Sequence, residues 1–96
     1  MLMWILSQVA VPHATVKPTN WWAVVIHDTN FASCSKCVYE LTRDIYRTFN
    51  GTVERVTYSE MKRSLYIWTV PGSTLDTERL KEVLNKEGVR SYEILH

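Results

Sequence analysis

The strongest constraint on how this chain can fold is the order in which its apolar periodicity switches between that of a strand and that of a helix. Trp21 to His27 is rich in aromatic and β-branched residues and reads as a strand, ended by the turn-forming run Asp28-Thr29-Asn30. Beyond Ser33, a candidate N-cap, Cys37, Leu41, Ile45 and Phe49 recur every fourth residue with Val38 and Tyr46 beside them. That spacing is the buried stripe of an amphipathic helix, and Asn50-Gly51 supplies its left-handed stop. Val53 to Tyr58 and Ser64 to Val70 are β-rich segments on either side of the polar run Ser59 to Arg63, the pattern of a hairpin. After Pro71-Gly72, Asp76 is placed to cap a second helix, with Leu75 and Leu80 set as a hydrophobic staple and Leu80, Val83 and Leu84 on its buried face. Gly88 closes this helix, and Val89 to Leu95 reads as the last strand.

The resulting order is βαββαβ. Right-handed crossovers then put both helices on one face of a four-stranded antiparallel sheet, a ferredoxin-like α+β sandwich. The expected organisation is one such domain over residues 21–96, preceded by an arm and connector over residues 1–20. Ninety-six residues, 46% of them hydrophobic, suffice for one core and not two. With only three glycines and three prolines, disorder is disfavoured.

Met1 to Val11 is nearly continuous in apolar residues, Trp4 among them, and reads as an extra strand or arm that something must cover. Met1 to Leu6 is too short to span a bilayer, and Ser7-Gln8 interrupts it. It lacks the basic start of a signal peptide, and Pro12-His13 suits a cleavage site poorly. A cytoplasmic protein without membrane association is therefore expected.

Eleven Lys and Arg against ten Asp and Glu leave a net charge of +1, which provides no long-range field for a phosphate backbone. Two cysteines are too few for the disulfide framework of a small secreted scaffold. Their C-x-x-C spacing suits a metal or redox pair better than a staple.

Cys34 and Cys37 fall in the first turn of the first helix, where free N–H groups and the positive dipole end favour thiolate. Three residues apart on a helix, the two sulfurs can approach each other and either hold a Cu(I) or form a reversible disulfide. His27, at the end of the first strand, is placed to add a third ligand, which would suit Zn(II). Set against these readings, Cys37 also begins the apolar row and fits the core as a small hydrophobe.

On Cys34, Cys37 and the stripe of Leu41, Ile45 and Phe49, residues 21 to 95 resemble the heavy-metal-associated domains, ferredoxin-like copper chaperones and ATPase modules. The resemblance implies that Cys34 and Cys37 are the metal-binding pair. Where that family carries a Gly-Met-Thr-like element before its first cysteine, this chain has Ala32-Ser33.

Alternation along the third strand places Tyr66 and Trp68 on one face and Leu65 and Ile67 on the other. If Leu65 and Ile67 face the helices, Tyr66 and Trp68 lie on the open face, with Trp21 or Trp22 beside them on the neighbouring strand. RNA-recognition folds place their stacking aromatics there, but this chain has no Lys/Arg-Gly-aromatic run and few cations beyond Arg55, Lys62 and Arg63. Coverage by the arm, by a second copy or by another protein is the preferred reading, with Trp68, Tyr66, Trp21, Trp22 and Trp4 as contact residues.

The sequence has no Gly-rich phosphate loop, nucleophile elbow or acid–base pair at meaningful spacing. The expectation is a small non-enzymatic binding module that works through protein contacts, as a homodimer or with another protein, with a soft-metal or redox pair at Cys34 and Cys37. The alternative is a single-stranded nucleic-acid-binding or regulatory protein using the aromatic face. A small nuclease with Asp28 as metal ligand ranks below both.

Overall fold

The computed structural model describes residues 20–96. Its elements are β1 (Trp21–Ile26), α1 (Thr29–Ala32), α2 (Ser35–Thr48), β2 (Val53–Ser59), β3 (Ser64–Thr69), α3 (Thr77–Lys86) and β4 (Tyr92–Leu95). The arm and Trp4, assigned above to an apolar contact, lie outside the described residues. The strands form one sheet in the order β2-β3-β1-β4, and every neighbouring pair is antiparallel. Each long helix links strands that are not neighbours: α2 joins β1 to β2 across β3, and α3 joins β3 to β4 across β1. Among the described residues no helix is long and apolar enough to cross a membrane.

The two faces of the sheet differ because side chains alternate along each strand. Trp22, Val24 and Ile26 of β1 and Leu65 and Ile67 of β3 point to the same side and join one buried cluster with Val38, Leu41, Ile45 and Phe49 of the first long helix and Leu80, Val83 and Leu84 of the second. Leu41, Ile45, Leu65, Ile67, Leu80 and Leu84 are fully buried. Each contributes roughly 1.5–3 kcal/mol relative to exposure. Both long helices therefore cover one face, and β1 and β3 supply its centre.

The second long helix starts and stops where local chemistry dictates. Asp76 accepts hydrogen bonds from the N–H groups of Glu78 and Arg79, and Leu75 and Leu80 are both buried beside it. At the other end the Gly88 N–H donates to the Asn85 carbonyl and the Val89 N–H to that of Leu84, a Schellman closure that needs the positive φ of 91° at Gly88. Because Val89 is drawn into the core by this closure, the last strand begins only at Tyr92 and not at Val89 as expected.

A second departure lies after β1. The expected loop holds a single helical turn, α1, capped by Asp28, so the N-cap of the first long helix moves from Ser33 to Cys34. Asp28 has two jobs: Oδ1 accepts from the Phe31 N–H at 3.2 Å and Oδ2 from the Arg90 N–H at 3.1 Å. The N–H groups of Arg90 and then Phe31 hold its carboxyl below the ordinary value. With both oxygens engaged by backbone, Asp28 is a cap that ties the end of β1 to the approach of β4, and the metal-ligand role raised above has no support in its surroundings.

Candidate functional site

The residues singled out from the sequence fall in two described regions: the cysteine pair at the start of the first long helix, and the sheet face turned away from the described helices. At the first, the Asp28-capped turn ends at Ser33 and the chain turns into α2 with Cys34 as N-cap. The sulfur of Cys34 accepts from the Cys37 N–H at 3.1 Å, and the Val38 N–H donates to the Cys34 carbonyl. Cys34 thus takes the position that Ser, Thr or Asp usually occupies, satisfying one of the free donors of the first turn. The two cysteines form a disulfide, with Cα atoms 5.2 Å apart. Cys37 is half-buried against the core cluster, so the apolar row that begins with it and its pairing with Cys34 are both features of this site.

His27 does not join them. Its Nε2 lies 3.5 Å from Glu93 Oε1, across the β1–β4 pair. Among the described residues no group of three or more His, Cys, Asp or Glu side chains converges to hold a metal ion. Adjacent side chains on a strand point to opposite faces, and His27 follows Ile26 onto the side away from the helices.

Ser33 and Ser35, on either side of Cys34, line an open recess of about 390 Å³ with Thr29, Ala32, Glu60 and Arg63. The recess separates the turn between the first two helices from the β2–β3 hairpin. Ala32, Ser35 and Glu60 continue into a more apolar depression of about 240 Å³ walled by Tyr39 and Tyr58. Tyr58 donates to the Ala32 carbonyl at 3.4 Å, and burial, more than the charge of Glu60, pushes its phenol above the ordinary value.

The second region is the open face. The β1–β3 register sets Trp21 directly opposite Trp68 and Ala23 opposite Tyr66. Arg55 of β2 is opposite Trp68 on its other side and lays its guanidinium over the indole, 4.2 Å from the ring centroid. Tyr66 and Trp68 pack with ring centroids 6.1 Å apart. Leu95, opposite Ala23 on β4, completes the patch. Trp21 is 47% and Leu95 43% exposed, while Tyr66 and Trp68 are half-buried.

Of the five aromatic residues singled out from the sequence, the structure brings Trp21, Tyr66 and Trp68 together. Trp22 is a correction: it is 5% exposed, lies in the core opposite Ile67, and stacks on His96 at 4.2 Å. Alternation forbids Trp21 and Trp22 from sharing a face, and the pairing of β1 with β3 selects Trp21. Arg55 and Leu95 were not singled out as contact residues. Their positions follow from registers between strands far apart in sequence, which periodicity within one strand does not provide.

A buried carboxylate on the first long helix is paired with a lysine on the second. Asp44 is 6% exposed, with Lys86 Nζ 2.9 Å from Oδ2 as an ion pair not aligned as a hydrogen bond, and Arg47 3.8 Å from Oδ1. Lys86 above all holds the Asp44 carboxyl below its ordinary value. Glu87 is pushed up, first by burial and then by the neighbouring Asp44 carboxyl.

No protein-family model matches this chain, and comparison with curated proteins gives no match.

Proposed function

We propose that this chain is a small non-enzymatic binding module of ferredoxin-like fold whose working surface is the helix-free face of the sheet. The fold reading is supported by the interleaving of β1-α2-β2 with β3-α3-β4 in one antiparallel sheet. The functional reading rests on one observation: Trp21 and Trp68 face each other across the two central strands, away from the helices, with Tyr66 and Leu95 adjoining. Contiguous aromatic surface of this kind gains from being covered, and Trp and Tyr are the residue types that most often anchor protein interfaces.

The proposed partner is a second copy of the chain. Arg55 lies on the β2 edge in the row of Trp68 and Trp21, and Glu93 on the β4 edge in the row of Val25 and Ser64. These are opposite corners of one face. A copy turned over about an axis in the face perpendicular to the line from Arg55 to Glu93 sets Arg55 against the partner's Glu93 and brings the two copies of Trp21 together, with the strands crossing as in orthogonal sheet packing. A single-stranded nucleic acid stacking on the same rings is the competing occupant.

Sedimentation equilibrium from micromolar to millimolar protein tests this. The expected result is self-association that Trp21→Ala weakens at least tenfold without loss of fold. Identical monomers for both proteins at every concentration refute the homodimer. Saturable binding of a labelled oligonucleotide, lost with Trp21→Ala, transfers the face to nucleic acid.

A second reading concerns the thiols. Convergence of Cys34 and Cys37 at the start of α2 supports the likeness to heavy-metal-associated domains, in which the reduced pair would take one Cu(I). Uptake of one metal ion per reduced chain, abolished by Cys34→Ser, tests it.

A further inference from the structure

We propose that Cys34 and Cys37 form a redox-active pair that exchanges two electrons with protein dithiols, with Cys34 as the exchanging sulfur and Cys37 as the resolving one. The site is separate from the sheet face and does not depend on the reading given for it. Four observations carry the assignment. The two sulfurs are bonded to each other in a loop of sequence separation three. Cys34 is the N-cap of a fourteen-residue helix, and its sulfur accepts the Cys37 N–H. Cys37 is packed on the core cluster, while Cys34 lies outside it, flanked by two serines that line an open recess. Finally, His27 is engaged across the sheet by Glu93, and among the described residues no group of three or more His, Cys, Asp or Glu includes the pair, so the contact each sulfur makes is with the other.

These features divide the labour between the sulfurs. A thiolate at Cys34 is stabilised by the first-turn N–H groups and the positive end of the helix. Cys37, partly buried against the core cluster, is the sulfur placed to resolve a mixed disulfide at Cys34.

In the oxidising direction a thiolate of the partner dithiol attacks Cys34 Sγ. The new partner–Cys34 bond forms as the Cys34–Cys37 bond breaks, and Cys37 Sγ leaves as a thiolate and takes up a proton. The partner's second thiolate then attacks its own sulfur in the mixed disulfide and expels Cys34 as thiolate. The partner dithiol has become a disulfide, and two electrons and the accompanying protons now reside on the pair. The reverse sequence reduces a partner disulfide, with Cys37 releasing the mixed disulfide.

The full-length protein equilibrated in glutathione buffers of graded potential, then acid-quenched and alkylated, tests the proposal by mass. The expected result is one two-electron transition within the buffered range, unchanged in Met61→Ala, a substitution at a side chain 93% exposed. In Cys37→Ser the remaining Cys34 should accumulate a glutathione mixed disulfide, and Cys34→Ser should form several-fold less. Reduced Cys34, the N-cap of α2, should alkylate faster than reduced Cys37, which is packed on the core cluster. A pair that stays fully reduced in the most oxidising buffer, or fully oxidised in excess dithiothreitol while the protein is folded, overturns the proposal. Equal mixed-disulfide formation by the two single variants overturns the assignment of roles.

Discussion

Replacing Trp68 by alanine separates a surface anchor from a core residue, because the structure puts Trp68 on the opposite side of β3 from the fully buried Leu65 and Ile67. Three contacts are lost. The cross-strand pairing with Trp21 is worth about 0.2–1 kcal/mol, the tilted contact with Tyr66 about 0.5 kcal/mol, and the Arg55 guanidinium over the ring about 0.5–1 kcal/mol. Together these predict a loss of about 1–2.5 kcal/mol of folding stability. For a domain of this size that lowers the melting temperature by roughly 5–20 °C. Ile67→Ala, one residue away on the fully buried side, should cost about 2–5 kcal/mol. Self-association should respond in the opposite order: Trp68→Ala should weaken it by about 2 kcal/mol or more, roughly thirtyfold, and any variant that still folds with Ile67 truncated should associate normally. Thermal melts followed by circular dichroism, paired with sedimentation equilibrium, read both effects. A Trp68→Ala protein as unstable as Ile67→Ala would refute the assignment of faces, and one that associates as strongly as wild type would refute the anchor.

Two further outcomes follow from the same geometry. Asp76→Ala removes the acceptor for the Glu78 and Arg79 N–H groups and should cost about 1 kcal/mol, visible as a shift in the urea midpoint with unchanged slope. The pH dependence of stability has a definite sign. Asp28, held down by the Arg90 and Phe31 N–H groups, and Asp44, held down by Lys86, both sit below 3.8 when folded, so their stabilisation is present above that pH and is lost as pH falls through their folded values. Glu87, raised above 4.5 by burial, acts in the opposite sense and favours the folded state as it takes up its proton. The melting temperature should hold or rise slightly from neutral pH towards 4.5 and fall below 3.8, and Asp44→Asn should flatten the acid limb. A melting temperature falling steadily from pH 7 to 5 in the wild type would contradict this.

Local chemistry carried much of this protein's architecture in its sequence. The row Leu41, Ile45, Phe49, the Asp76 cap, the Leu75–Leu80 staple and the stops at Gly51 and Gly88 act within a few residues, and each element they define is present in the structure. The split of β3 into Leu65 and Ile67 against Tyr66 and Trp68 was equally legible, because alternation on a strand has a period of two. The pairing of Cys34 with Cys37 could be anticipated from a spacing that puts both in one helical turn. What periodicity could not provide was everything that depends on which strand lies beside which. The β1–β3 register decides that Trp21 and not Trp22 meets Trp68, and that Arg55 stands over the same ring from β2. The reach of Arg90 back to Asp28, sixty-two residues earlier in the chain, engages the carboxylate oxygen left over from the local Phe31 cap. His27 is drawn to Glu93 by the β1–β4 pairing, leaving the cysteines as a pair. Short-range sterics and hydrogen bonding are written in adjacent residues, whereas contacts between distant strands form only when the whole sheet closes over one core, so only the tertiary structure could decide them.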